Sequence, residues 1–155
     1  MGSELKKCNF IGNKTTIETL ALNLLQHFFP KELTDYFSIS HVETLCSLET
    51  KEEYLVISFE ERNNIPEGYS LDEYESKGFM ESKLIQDFPL RGKAVYLSVK
   101  KRRWRHKSTG AIIKRDFSFI ADGSKFTSEL SDFLKEANSY ATRYHEKHSQ
   151  LLRGQ

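Results

Sequence analysis

The chain has 155 residues, 23 Lys or Arg against 22 Asp or Glu, 38% hydrophobic residues and two cysteines. That size predicts one domain over residues 1–150 with a frayed tail at 149–155, its lean aliphatic content offset by eleven Phe and seven Tyr. No apolar run approaches the ~20 residues of a membrane helix, MGSELKKCNF lacks the apolar core of a signal peptide, and Cys8 and Cys46 lack metal-ligand or redox spacing, so a soluble cytoplasmic protein with reduced thiols is expected.

In chain order, Ile17, Leu20, Ala21, Leu24, Leu25 and Phe28 recur at helical spacing after a capping Thr15 or Thr16. Pro30 ends that helix or opens a short second one, Pro30 to Phe37, giving a helical segment over 15–37 whose apolar stripe is expected to pack into the core. From Ser38 to Glu61 the period becomes that of strands. SISHVETLCSL and EYLVISFEE, separated by Glu49–Glu52, predict an antiparallel hairpin. Asn63–Gly68 reads as a loop and Leu71–Glu75 as irregular or a helical turn.

Phe79–Phe88, Lys93–Arg105 and Ala111–Ile120 then predict a three-strand meander, its turns placed at Pro89–Gly92 and Lys107–Gly110. Thr127 caps a closing helix over 127–148 that carries Leu130, Phe133, Leu134, Ala137, Ala141 and Tyr144 on one stripe. The expected fold is therefore α+β: an N-terminal helix, an antiparallel β-hairpin, a three-strand antiparallel meander over the rest of 38–120, and a C-terminal helix packed on the sheet.

The even charge total conceals a block of one sign. Residues 91–115, RGKAVYLSVKKRRWRHKSTGAIIKR, hold ten Lys or Arg and no Asp or Glu, whereas residues 1–90 hold eight basic and sixteen acidic residues. Such a block predicts a surface for a polyanion, or a basic hairpin that pairs with the chain's own acidic half. Strand alternation sends Lys101, Arg103 and Arg105 one way and Lys100, Arg102 and Trp104 the other. A hairpin tip charged on both faces is expected to project from the body, and a two-stranded ribbon fits the DNA major groove.

On that reading Lys100, Lys107 and Lys114 contact phosphates, while Arg102, Arg103 and Arg105 are placed to read guanine edges. Trp104, the single tryptophan, either anchors the hairpin base or stacks on a base. The full expected DNA-contacting set is Lys100, Lys101, Arg102, Arg103, Trp104, Arg105, His106, Lys107, Lys114 and Arg115.

The run from Ile85 to Ala137, with D-F-P-L-R-G-K at Asp87–Lys93 and R-R-W-R at Arg102–Arg105, resembles the N-terminal region of bacterial insertion-sequence transposases. The similarity extends to the LxLLxxFFPKELTDYF-like helix and the hairpin after it, covering most of residues 17–137. In related transposases a zinc-ribbon cysteine pattern and a long catalytic domain follow; here Asp116-Phe117-Ser118-Phe119 stands in place of the cysteines. The resemblance implies a module that binds double-stranded DNA at element ends beside a separately encoded catalytic transposase subunit. A homo-oligomer is a further expected assembly, with no membrane partner.

Other chemistry is not expected. Glu60, Glu61, Asp72, Glu73, Asp87 and Asp116 fit no two-metal carboxylate scaffold and read as solvated acidic surface. His145 and His148 lack zinc-protease spacing, and no phosphate loop or dinucleotide fingerprint is present. The expectation is thus a non-enzyme with no catalytic residues, metal or cofactor. The alternatives carried beside it are a protein-interaction module, a decayed mobile-element remnant and a small metal-independent nuclease.

Overall fold

The computed structural model describes residues 17–121 and 123–153. Cys8, the cap at Thr15 or Thr16, and the side chains of Tyr144, His145 and His148 lie outside what is described. The chain divides into two compact units, 1–36 and 37–155. In the first, residues 17–28 form helix α1 and Lys31–Tyr36 form α2. Pro30 sits just before α2, and its carbonyl accepts from Leu33 and Thr34, as the sequence suggested for a proline-opened turn. The apolar stripe of α1 departs from its expected core role: Ile17, Leu20, Leu24 and Phe28 are at least half exposed.

The second unit is α+β. A hairpin of β1 (Phe37–Cys46) and β2 (Glu53–Glu61), a bent meander and a C-terminal helix build it. The meander begins with β4 (Lys83–Leu90) and β5 (Lys93–Lys100), joined through Arg91 and Gly92 at φ of 51° and 78°. Positive φ at both positions is the geometry of a two-residue turn whose twist matches its strands; Gly92 adopts it freely, whereas Arg91 bears the Cβ penalty.

The long strand expected over Lys93–Arg105 is interrupted at Lys101. Its second half is β6 (Arg102–His106), which pairs with β7 (Ile112–Lys114) and with β3 (Tyr74–Phe79). One bent strand therefore serves two sheets, of order β1-β2-β5-β4 and β3-β6-β7. Sequence patterning had no access to the parallel pairing of β2 with β5, which sets Leu55, Ile57 and Phe59 beside Val95, Leu97 and Val99. These residues, with Ile85 of β4, form the core face of the larger sheet. Phe37 extends it by packing on Phe117 and Phe119, with ring centroids 4.9 and 6.0 Å away.

Helix α3 spans Ser128–Arg153. Thr127 caps it, accepting from the Leu130 amide at 3.4 Å while its hydroxyl donates to Asp87 of β4 at 2.9 Å. Leu130 is buried, and Phe133 meets Phe88 at 5.6 Å, so the helix packs on the sheet through its first turns. It continues to Arg153, beyond the predicted fraying at 149, because no Gly or Pro interrupts it before Gly154. No helix among the described residues is long and apolar enough to cross a membrane.

Candidate nucleic-acid interface

The β3-β6-β7 sheet has two chemically different sides. Trp104 is fully buried on one of them, opposite Ser76 and Ile113, and its indole N–H donates to Asn63 Oδ1 at 3.0 Å. Arg102 lies on the same side. Its guanidinium covers the Phe79 ring at 4.4 Å and donates to Ser76 Oγ at 2.7 Å and to the Glu61 carbonyl at 3.2 Å. His106 closes the row, packed edge-to-face on Tyr74 and accepting at Nδ1 from the amides of Ser108 and Thr109, 3.2 and 3.1 Å away. That acceptor role ties the β6–β7 turn to the imidazole.

Beneath this side sits Glu61, its side chain wholly buried at the end of β2. Oε2 accepts from the Arg102 amide at 2.8 Å and Oε1 from the Arg115 guanidinium at 2.9 Å, while Arg115 also donates to the Asn64 carbonyl at 3.0 Å. Burial pushes the Glu61 carboxyl above the usual carboxylate range, opposed by the Arg102 amide, Arg115 and Lys101. The expected solvated acidic surface is thus corrected at two positions, Glu61 and Asp87. Both are buried because each satisfies hydrogen-bond donors that the fold brings inside.

The opposite side faces solvent. Strand register places Arg103 across from Lys114 and Arg105 between Glu75 and Ile112, with Lys77 two residues along β3 from Glu75. Lys77, Arg103 and Lys114 are exposed, and among the described residues none of the three forms a hydrogen bond or a close ion pair through its side chain. Arg105 is bridged to Glu75, its Nε 3.0 Å from Oε1 and its Nη2 also bonded there. The Arg105 bond and charge hold the Glu75 carboxyl below the usual range, with Lys77 and Lys107 adding to the pull. The one carboxylate that these three strands carry on this side is therefore already answered by a cation.

Several expected contacts are corrected by this geometry. The basic hairpin is not a projecting finger with two free faces, since β3 and the buried Trp104 tie it into a sheet. Trp104 is an anchor and is not available to stack on a base. Arg102 and Arg115 are turned inward to Glu61, and His106 braces its own turn. Lys100 pairs with Glu60 at 3.4 Å, and Lys101 lies between the Arg115 carbonyl and Asp116 at 3.5 and 3.9 Å. Lys107 is exposed, with its ammonium capping the Leu71 and Asp72 carbonyls at 3.0 and 2.8 Å. Of the ten expected residues, Arg103, Arg105, Lys107 and Lys114 remain at the outer surface.

Sequence reasoning missed Lys77, Glu75, Glu61 and Asn63. The first two were legible in principle, as alternating charges on a short strand; the last two were not, because their partners lie some forty residues away in sequence. A groove beside the β4–β5 turn, lined by Tyr54, Leu84, Arg91 and Tyr96, contributes little charge, because its Lys93 is bridged to Glu53 at 2.7 Å. Among the described residues no group of three His, Cys, Asp or Glu side chains is placed to hold a metal ion. Comparison with family models, curated proteins and solved structures finds no match for this chain.

Proposed function

We propose that this chain is a non-catalytic module that binds double-stranded DNA through the outer side of the β3-β6-β7 sheet, in the cytoplasm, as the end-recognition part of a transposition system whose catalytic subunit is encoded separately. One observation carries the reading: Lys77, Arg103 and Lys114 lie on one exposed sheet face on which the three strands carry one carboxylate, Glu75, and that carboxylate is bridged to Arg105. A two-stranded ribbon fits the ~12 Å width of a major groove, and the β6–β7 pair, with Arg103 opposite Lys114, presents one. The resemblance to transposase N-terminal regions supplies the biological setting.

The inward turn of Arg102 and Arg115 reduces the electrostatic footprint. With Lys77, Arg103, Lys107 and Lys114 each answering a phosphate, log K should fall with log salt at a slope of about −3.5. Fluorescence anisotropy of a labelled duplex at several salt concentrations measures it, and a flat response would remove DNA from consideration. Arg103, the arginine of this face that forms no hydrogen bond or ion pair among the described residues, is the one placed to bond a phosphate with both arms of its guanidinium. Supercoiled plasmid incubated with the chain and magnesium should remain uncut.

A further inference from the structure

The two edges of the four-stranded sheet are finished differently. Along β4, Gln86 donates its amide to the Lys125 carbonyl at 2.7 Å, and its own carbonyl accepts from Thr127 at 2.9 Å. Pro89 withholds a further donor on the same strand. Among the described residues β1 has β2 as its single strand neighbour. Its ten residues include no Lys, Arg or Pro, the usual means of discouraging edge pairing. One bulge, between Ile39 and His41, is the sole irregularity. Ile39 and Val42 stand opposite the buried Phe59 and Ile57 on the core face, yet are 39% and 54% exposed. The apolar surface of the sheet thus runs out to an open edge.

We infer that β1 pairs antiparallel with β1 of a second copy of this chain, about a two-fold axis at Val42, joining two four-stranded sheets into one. The register follows from chemistry. A two-fold axis perpendicular to the sheet keeps each face on its own side, so only registers centred on a residue are open. Centring on Glu43 sets two carboxylates against each other, and centring on Thr44 sets Glu43 against Leu45. Centring on Val42 sets His41 opposite the second copy's Glu43, and the reverse, the same two residue types that already meet at 3.7 Å within one chain. On the core face it places Val42 against Val42. Once the bulged Ser40 is skipped, Ile39 meets Thr44, so the two exposed apolar side chains are covered together.

The register makes the test specific. In a Cys8→Ser, Cys46→Ser background, Val42→Cys should form an intermolecular disulfide under mild oxidation. Thr44→Cys should not, because the two copies of residue 44 lie roughly 13 Å apart along the strands. Sedimentation equilibrium of the unmodified chain should give a dimer, and Val42→Lys should halve the mass while leaving the circular dichroism spectrum of the folded chain unchanged, since that side chain is exposed within one copy. Glu43→Lys should weaken the dimer at least tenfold, and the exchange His41→Glu with Glu43→Lys should restore it. A monomeric wild-type chain would leave this edge for a strand from a different protein and overturn the inference. So would a dimer that survives Val42→Lys, or equal cross-linking at residues 42 and 44.

Discussion

Arg103 and Trp104 are neighbours on one strand, yet they belong to different parts of the molecule. Trp104 looks inward with Arg102, each held by groups that arrive from β2, β3 and the loop after β2. Arg103 looks outward with Arg105, over a surface that carries Lys77 and Lys114. A charge run read as a single patch is thus divided lengthwise by the pleat: every second residue is spent on the fold. Lys93, Lys100, Lys101, Arg105 and Arg115 all form ion pairs within the chain. The formal +10 of the segment therefore overstates what a polyanion would meet. What makes the outer side distinctive is the scarcity of competing carboxylates rather than the number of cations.

The division can be broken most severely from the inside. Trp104→Ala removes a fully buried side chain and the bond to Asn63, and should cost about 3–5 kcal/mol of stability. Glu61→Ala takes the fully buried carboxylate away from the Arg102 amide and the half-buried Arg115 guanidinium and should cost about 1–3 kcal/mol. Denaturant unfolding measures both, and a loss under ~1 kcal/mol would mean that the inner side does not anchor the sheet.

The outer side should behave in the opposite way. Arg103→Ala combined with Lys114→Ala should change stability by no more than ~0.5 kcal/mol, while the slope of log K against log salt for duplex DNA flattens by about 2. If that double variant unfolds, or binds DNA as the parent does, the two sides are not separated as described. Glu75→Gln sharpens the contrast from within the outer side. Releasing Arg105 should tighten DNA binding several-fold and steepen the salt slope by about 1.

The smallest effect concerns acid stability. Glu53 and Glu75 are held below their ordinary value of 4.5 by Lys93 and Arg105, respectively. A depressed carboxylate adds stability that is present above its unfolded-state value and is lost as pH falls through its folded-state value. The double variant Glu53→Gln, Glu75→Gln should therefore show a shallower decline in melting temperature below pH 4.5 than the parent. Because both pairs are solvent-exposed, the difference should be small and should shrink further in salt.

Much of the local architecture was legible in the chain. Alternation marked β1 and β2, and Thr127 marked the start of α3. Arg91-Gly92 closed a hairpin where a turn was expected, because these signals depend on a few contiguous residues and on backbone sterics that travel with them. The break at Lys101 was not legible, since KKRRWR alternates smoothly through it and nothing local demands that β5 and β6 enter different sheets. Nor was the exposure of the α1 stripe: amphipathic spacing predicts a helix and a sticky side, but not that a partner surface is present to cover it.

The candidate surface divides along the same line. The sequence by itself determined that a dense cationic segment lies on strands and turns, and that successive residues there must face opposite ways. Only the tertiary structure decided which side is spent on Glu61 and Asn63 and which stays free, and that Lys77 from a separate strand joins it. The physical reason is range. Pleat and turn geometry act between adjacent residues, whereas desolvation and ion pairing depend on groups that meet only after the chain has folded across some forty residues.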